Sequence, residues 1–316
     1  MLSRVAESLY WMSRQVERAE NLARFLEVTL HLILDQPDDL VDPWEPLVLV
    51  TGDSEWFLEK YGKPDAQSVV NFLAFDTDYE HSMLSCLRNA RENAKSVRET
   101  LSSEAYEQLN EIFHFVDQST GQQLIDPTAE FFDRVRQHAF MWSGILDNSM
   151  AHDTAWHFAN MGRMLERADK TSRILDVKYF NLLPRLNDVG TAVDDLQWSN
   201  LLMAISGFEA YRRMHHLVEI EKVVDFFLFH ESFPRSIRFC IAGADWSLGE
   251  IENASKSAAM GAAKQQIISL RHRLSRTSVK EVIAGGMHQF VDSLQCELNQ
   301  IGDSLSQDYF HMTSRS

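Results

Sequence analysis

The sequence predicts an all-α protein, a helical bundle built from two homologous halves that are related by a pseudo-two-fold axis. Apolar residues recur three and four positions apart along almost the whole chain of 316 residues, and no run shows the alternation of β-strands. A charged segment at 14–28 recurs at 163–177, and no linker rich in proline, glycine or serine separates the halves. We therefore expect 1–150 and 151–316 to be repeat halves that share a core.

The repeated segment is a cluster of arginine and acidic residues. Segments 14–28 and 163–177 are identical at seven of fifteen positions, where unrelated segments match at about one. The repeat continues at an offset of 154 residues, with 70–73 matching 224–227, Ser82 matching Ser236 and Cys86 matching Cys240. The offset between the charged segments is 149, so the second half holds five extra residues, which we place around 187–194.

The first helices begin and end at residues with identifiable roles. Pro37 and Pro43 close the first helix, because proline cannot continue a helical hydrogen-bond ladder. Pro46 suits the first turn of the second helix, and Gly62 with Pro64 ends it.

Later helices have similar signals. Ser103 with Glu104 begins one helix, and Asp126 is the N-cap of another, with Pro127 as its first-turn proline. Pro184 ends the second long helix, and 233–236 (Phe-Pro-Arg-Ser) indicates an abrupt stop and restart. We predict helices over 2–35, 44–61, 66–76, 79–101, 103–119, 128–150, 152–182, 195–214, 216–230, 235–255, 258–276 and 278–308.

Composition excludes several classes of partner. Forty-six acidic residues against thirty basic ones give a net charge of −16, which repels nucleic acid and anionic lipid. The N-terminus lacks the apolar core of a signal peptide, and no stretch reaches the eighteen or so apolar residues of a membrane span. Cys86, Cys240 and Cys296 show no CxxC spacing, and we expect buried, reduced thiols in a cytoplasmic protein.

On a helical wheel, the first helix is apolar nearly all round except for a charged island. A helix of this kind is usually buried, and buried charges must be paired because an isolated one costs several kcal/mol. The second copy of the segment repeats the island. Its members are Arg14, Glu17, Arg18 and Asn21 in the first copy and Arg163, Glu166 and Arg167 in the second.

Three interpretations of this island are open. In the first, Glu17 pairs with Arg167 and Glu166 with Arg18, and the network fixes the register of two central helices. In the second, guanidinium groups line a pocket for a carboxylate or phosphate, which arginine recognises in a planar, bidentate geometry. In the third, the island is a solvated helix face.

At these residues the chain resembles the alpha-E family, a bacterial group named for an α-helical domain with a Glu-Arg motif. The resemblance covers nearly the whole chain. It rests on 2–11 (LSRVAESLYW), 17–21 (ERAEN), 90–94 (ARENA), 162–169 (GRMLERAD) and 233–236 (FPRS). It implies an all-α cytoplasmic protein without an established reaction.

Genes of that family tend to neighbour circularly permuted ATP-grasp amidoligases, transglutaminase-like peptidases and proteasome-like hydrolases. The resemblance therefore implies a component of a system that makes and removes amide-linked peptide modifications.

A second charged stripe and one isolated arginine are weaker candidates. Two interpretations of the stripe are open. It is a helix face whose charges are solvated or paired with one another, or its side chains reach the same pocket as the charged island. Arg235 begins a helix after Pro234, where free backbone N–H groups favour an anion. The stripe consists of Arg88, Arg91, Glu92, Asn93 and Arg98.

We expect no metal and no cofactor. A di-iron bundle needs two Glu-x-x-His pairs, and the chain offers one, Glu111 with His114, without a counterpart in the second half. The sequence contains no P-loop, GxGxxG, GxSxG or zinc spacing, so a partner would bind any ATP that is used. The remaining candidate ligands, which we interpret as ordinary helix residues, are His152, His157, His215 and His216.

We therefore predict an accessory or substrate-positioning partner of an ATP-grasp amidoligase. One alternative is a self-contained enzyme that acts on an amide or amino-acid substrate, with Glu17 or Glu166 as general base. The other is a purely structural scaffold. The candidate binding residues are Arg14, Glu17, Arg18, Asn21, Arg91, Arg163, Glu166, Arg167, Asp169 and Arg235.

Overall fold

The structure is a computed structural model that describes residues 2–35, 43–181, 192–255 and 260–310. Every regular element in these ranges is helical, so the all-α prediction is confirmed there. Up to Ser149 the elements are α1 (Ser3–Asp35), α2 (Glu45–Thr51), α3 (Ser54–Tyr61), α4 (Ala66–Val70), a π-helical turn π1 (Asn71–Phe75), α5 (Met83–Ser96), α6 (Ser103–Ile125) and α7 (Ala129–Ser149).

The remaining described helices begin at Thr154. They are α8 (Thr154–Asn181), α9 (Ala192–Ala204), α10 (Phe208–Met214), α11 (Ile220–Phe229), α12 (Ile237–Ser255), α13 (Ala262–Arg276), α14 (Val279–Gly285), α15 (Met287–Leu305) and a second π-helical turn, π2 (Ser306–Phe310). Most of the expected five-residue insertion around 187–194 and the break at Pro184 lie outside the described residues. None of the described helices is both long and apolar enough to cross a membrane.

Three predicted helices were wrong because each is interrupted. The helices expected over 44–61, 195–214 and 278–308 each divide into two. The backbone φ angle is +83° at Gly52, +52° at Ser206 and +97° at Gly286, and a helix cannot continue through such a left-handed residue.

Other helix boundaries also differ from the prediction, and the largest differences are in the helix expected over 79–101, which ends at Ser96, and in the one expected over 103–119. The helix expected from residue 79 begins only at Met83, because the Ser82 side chain accepts the backbone N–H of Ser85 and caps it. The helix expected to end at 119 continues to Ile125. Cys86 and Cys240 are buried as expected, but Cys296 is exposed, since it lies on the outer side of α15 between the inward-facing Leu294 and Leu298.

The chain divides into two compact units. The N-terminal unit is Ser8–Ala159, and the C-terminal unit combines Met1–Glu7 with Asn160–Ser316. The predicted repeat halves 1–150 and 151–316, and their relation by a pseudo-two-fold axis, stay predictions.

The core of the N-terminal unit lies between α5, α6 and α7, where α6 packs along both neighbours. Leu87, Ile112 and Phe132 are completely buried or nearly so. Trp142 of α7 is also buried, and its indole N–H donates to the carbonyl of Ala105 at 3.1 Å. That hydrogen bond satisfies the polar atom of a large side chain that otherwise lies in an apolar core.

In the C-terminal unit, α13 lies between α12 and α15. Ile241 and Leu248 of α12, Ile267 of α13 and Leu294 of α15 are fully buried. Apolar faces on three helices therefore supply the core here as well.

The C-terminal turn π2 closes the start of α13. The carboxylate of Asp308 accepts the backbone N–H of Ala263 at 3.0 Å. The N-cap residue of α13 is Gly261, which has no side chain to make that bond. Asp308 is therefore a capping residue from a distant part of the sequence.

Replacing Asp308 with alanine should lower the free energy of unfolding by about 0.5–2 kcal/mol, the usual cost of losing a helix cap. Urea denaturation of the whole chain measures the change. Asp303→Ala is the matched control, because Asp303 is an exposed carboxylate on the neighbouring turn of α15. Equal stability of the two variants would show that the cap contributes nothing.

Candidate functional site

The charged island divides into buried carboxylates and partly exposed guanidinium groups. Glu17 and Glu166 of the island are buried, and so are the neighbouring acidic residues Glu20 and Asp169, with at most 6% of each residue exposed. Their arginine neighbours are half-buried. These are Arg14 and Arg18 on α1 and Arg163 and Arg167 on α8.

Neighbours on α1 hold part of the island in place. Glu20 forms a salt bridge with Arg24 one turn along the helix, and both are buried. The Asn21 amide donates to the carbonyl of Glu17 at 2.7 Å, and lies 3.4 Å from its carboxylate. Arg14 donates to the hydroxyl of Tyr10 at 3.1 Å. Two pairs of residues four positions apart on α1, Glu17 with Asn21 and Glu20 with Arg24, are therefore in contact.

The second copy on α8 contains corresponding contacts. Asp169 accepts from Nε of Arg173 at 3.0 Å, at the position of the Glu20–Arg24 pair. Lys170 places its ammonium 3.3 Å from Asp169 and 3.7 Å from Glu166. Burial raises the pKa of Asp169, but the charges of Lys170 and Arg173 outweigh it, so the pKa lies below its usual value.

In each unit one island arginine reaches the loop before a helix. We name residues 76–82, before α5, the N-terminal pre-helix loop, and residues 230–236, before α12, the C-terminal pre-helix loop. Arg18 donates to Nδ1 of His81 at 2.9 Å, and Arg167 donates to the carbonyl of Pro234 at 3.3 Å. Each loop ends at a serine cap, Ser82 or Ser236.

The first residues of the two loops act alike. A carboxylate oxygen of Asp76 accepts the backbone N–H of Asp78 at 3.0 Å. In the other loop, Nδ1 of His230 accepts the backbone N–H groups of Ser232 and Phe233 at 3.2 and 2.9 Å. Side chains at corresponding positions therefore fix both turns.

Buried groups then hold the loops against their units. The ring centroids of Tyr79 and Phe72 are 4.3 Å apart, and those of Phe233 and Phe226 are 4.5 Å apart. At the other end of each loop, a buried thiol donates to a loop carbonyl at 3.5 Å. These pairs are Cys86 with His81 and Cys240 with Pro234.

The two pre-helix loops differ in their ionic contacts, because the N-terminal loop pairs with α3, whereas Glu231 of the C-terminal loop pairs with Arg238 of α12 at 2.6 Å. Lys60 of α3 contacts Asp76 at 2.9 Å and Asp78 at 2.8 Å, and the Tyr61 hydroxyl donates to Asp76 at 2.6 Å. Tyr79 donates to Asp53 at 2.6 Å. In the C-terminal loop the contact in the place of Lys60–Asp76 is His230 with the sulfur of Met214, at 3.2 Å.

Comparison with known proteins identifies the chain. The model of a family described as Alpha-E, "a predicted alpha-helical domain with a conserved ER motif", matches residues 1–310. The chain belongs to the Alpha-E family. The two Glu-Arg pairs of the island are Glu17-Arg18 and Glu166-Arg167.

Relatives of this Alpha-E chain include uncharacterized proteins from Mycobacterium bovis and from two strains of Mycobacterium tuberculosis. Each is 23% identical over 330 residues, which cover 96% of this chain and 36% of the relative. The Alpha-E chain therefore spans about a third of the length of these relatives. No solved structure matches it.

The two outlying site candidates of the Alpha-E chain have different surroundings. Nε of Arg91 donates to Asn110 of α6 at 2.6 Å, and its guanidinium lies over the ring of Phe113. The structure thus places Arg91 against α6. Arg235 is buried beside Pro234, and its carbonyl accepts the Thr171 hydroxyl of α8 at 2.9 Å, so it does adjoin the island.

Glu111 and His114 of the Alpha-E chain are exposed on α6. Within the described residues, no group of three or more histidine, cysteine, aspartate or glutamate side chains is arranged to hold a metal ion.

Sequence reasoning missed the polar residues of the N-terminal pre-helix loop. Asp76, Tyr79 and His81 belong to none of the motifs, and their partners are distant in sequence. The repeat contained the signal, because the offset of 154 places His81 opposite the predicted Arg235.

Replacing Asp76 with asparagine should destabilise this Alpha-E chain in a pH-dependent way. Burial raises the pKa of Asp76, but hydrogen bonds from Tyr61 and Lys60 outweigh it and hold the folded-state pKa below the usual 3.8. The charged form therefore stabilises the fold above about pH 4, and that contribution is lost as pH falls through the lower, folded-state pKa.

We expect a loss of about 1–3 kcal/mol in the free energy of unfolding at pH 7, because Asp76 is buried and the variant replaces the charged acceptor of its hydrogen bonds with a neutral amide. Denaturation between pH 7 and pH 3 should show this difference shrinking at the acid end. Asp78→Asn is the control, since Asp78 is 79% exposed and should change little. A difference that stays constant down to pH 3 would contradict the assignment.

Proposed function

We propose that this protein is an accessory, substrate-positioning partner of an ATP-grasp amidoligase in a bacterial peptide or amide-modification system. One observation carries the proposal. The carboxylates of the island are buried, whereas its arginines are partly exposed, and two of them reach the pre-helix loops. That arrangement suits holding an anionic peptide or acyl substrate, since guanidinium groups bind carboxylates through charge-assisted hydrogen bonds.

The burial of the carboxylates also favours binding over catalysis by the island. A general base must reach the proton that it removes, directly or through one water. Glu17 is 5% exposed and Glu166 is completely buried. Neither side chain is therefore well placed to act as the base of a self-contained enzyme.

We further infer that the chain arose by duplication into two homologous halves. The long helices α1 and α8 make their contacts in the same order. Along α1 these are Ser8 with Ser96, Arg18 with His81 and Glu27 with Arg136; along α8 they are Asn160 with Ser247, Arg167 with Pro234 and Asp176 with His288. The offset of 149 relates Arg18 to Arg167 and Glu27 to Asp176.

A partner protein is part of the proposal for two reasons. The chain contains no phosphate-binding loop of its own. The matching segment makes up 36% of each mycobacterial relative, so in those proteins it is joined to much further sequence. We propose that here a separate cytoplasmic ligase supplies the nucleotide chemistry, with a transglutaminase-like peptidase or proteasome-like hydrolase as further components.

A structural scaffold is the second candidate. The buried pair Glu20–Arg24 and the buried Asp169 with its partly exposed partner Arg173 favour it, because paired charges in a core fix the register of the helices that carry them. The two candidates differ in what loss of the half-buried arginines should do.

Replacing Arg18 and Arg167 together with methionine should separate these candidates. Both side chains are half-buried, so we expect the free energy of unfolding to change by less than about 1 kcal/mol. Turnover of an acidic peptide substrate by the reconstituted ligase should fall at least tenfold, because charge-assisted hydrogen bonds contribute about 1.5–3 kcal/mol. The charge-matched control is Arg134→Met with Arg213→Met, at two exposed positions.

The reconstitution begins with a tagged full-length chain recovered from its native host. Mass spectrometry of co-purifying proteins identifies the ligase, and ATP-dependent phosphate release measures its activity with and without the chain. Recovery without an ATP-grasp protein would contradict the accessory role. Loss of folding in the double methionine variant, with unchanged turnover per folded molecule, would favour the scaffold.

A further inference from the structure

The contact between Arg18 and His81 fixes the protonation of an imidazole. Arginine has hydrogen-bond donors and no acceptor, so Nδ1 of His81 must accept at this 2.9 Å contact. A neutral imidazole that accepts at Nδ1 carries its hydrogen on Nε2. His81 therefore presents a hydrogen-bond donor on its other side.

A carboxylate already lies on that side. Oε1 of Glu80 is 3.4 Å from Nε2 of His81. The Glu80 side chain is 81% exposed and that of His81 is 40% exposed, so water and solutes reach both. Exposed contacts of this kind contribute little to stability, and another carboxylate can replace one at low cost.

The inner wall beside His81 is fixed. The ring of Tyr79 packs edge-on against the imidazole, with ring centroids 5.5 Å apart. Tyr79 is itself buried and donates to Asp53 at 2.6 Å. Tyr79 is thus held in place by its hydrogen bond to Asp53, whereas the exposed Glu80 side chain is able to move.

We propose that Arg18 and His81 form a carboxylate subsite, in which Glu80 is an internal stand-in that the carboxylate of an acidic peptide displaces. The incoming carboxylate accepts from Nε2 of His81 and shares the positive field of Arg18. This inference rests on the proposed substrate-holding function and gives it a location in the N-terminal unit. In the C-terminal loop, Pro234 and Arg235 replace Glu80 and His81, so the stand-in exists in one loop of the two.

Calorimetry of the full-length chain with triglutamate peptide as the probe tests the subsite. Glu80→Gln removes the competing carboxylate and should tighten binding about two- to fivefold, given the small strength of exposed pairs. His81→Ala removes the donor and should weaken binding about tenfold. Glu59→Gln on the exposed surface of α3 is the control, because it changes the net charge by the same amount.

Nitrogen-15 spectra of the imidazole provide a second readout that needs no variant. Free protein should show His81 with its hydrogen on Nε2, and triglutamate should shift that resonance. A hydrogen on Nδ1, or equal affinities of the Glu80→Gln and Glu59→Gln variants, would overturn the subsite.

These results stay distinguishable from a failure of the proposed function. Triglutamate binding that depends on Arg167 and is indifferent to His81 would overturn the subsite and leave the substrate-holding role intact. Absence of triglutamate binding, together with a ligase that responds to the chain, would likewise overturn the subsite alone. Absence of both would overturn the two proposals together.

Discussion

Buried pairing of carboxylates with arginines on the two long helices is the constraint on which the rest of the site depends. Glu20 and Arg24 lie one turn apart and out of solvent, and the buried Asp169 lies one turn from Arg173, whose side chain is 24% exposed. Removing one partner of such a pair leaves an unpaired buried charge and costs about 3–5 kcal/mol. These two acidic residues of the motif, Glu20 and Asp169, are therefore engaged in ion pairs with residues of their own helix. What remains at the edge is the guanidinium group of Arg18 or Arg167, next to a pre-helix loop.

Much of the fold followed from helical periodicity, and its errors have a common cause. The spacing of apolar residues continues on both sides of a short break between helices. A single left-handed residue changes the direction of the chain, but the sequence on either side still has the helical pattern. The interruptions at Gly52 and Gly286 carried glycine as a signal, which the long apolar pattern outweighed. The signal for the third interruption was weaker. A non-glycine residue such as Ser206 rarely has a φ of +52°, and the only hint in the sequence was Gly207, which follows it.

The candidate site was predictable only where contacts are local. The pairs Glu17–Asn21 and Glu20–Arg24 follow from helix geometry, because residues four apart share a face. The contact of Arg18 with His81 joins residues 63 positions apart, and no helical rule predicts it. Tertiary packing decides which loop meets which helix. The internal repeat was the one source of long-range information, because it relates the two pre-helix loops position by position.

If the two halves arose by the proposed duplication, the two pre-helix loops have kept the same turn-forming features but differ in the side-chain contacts of their first residue. Both have a capping side chain at the first position, a buried aromatic ring and a serine cap. At the first position of the N-terminal loop, Asp76 makes an ionic contact with Lys60. At the corresponding position of the C-terminal loop, the imidazole of His230 contacts the sulfur of Met214. The charged set of the N-terminal loop stabilises its own turn, because the buried carboxylate of Asp76 accepts hydrogen bonds from Lys60 and Tyr61. On the proposed substrate-holding function, the same loop also places His81 beside Arg18.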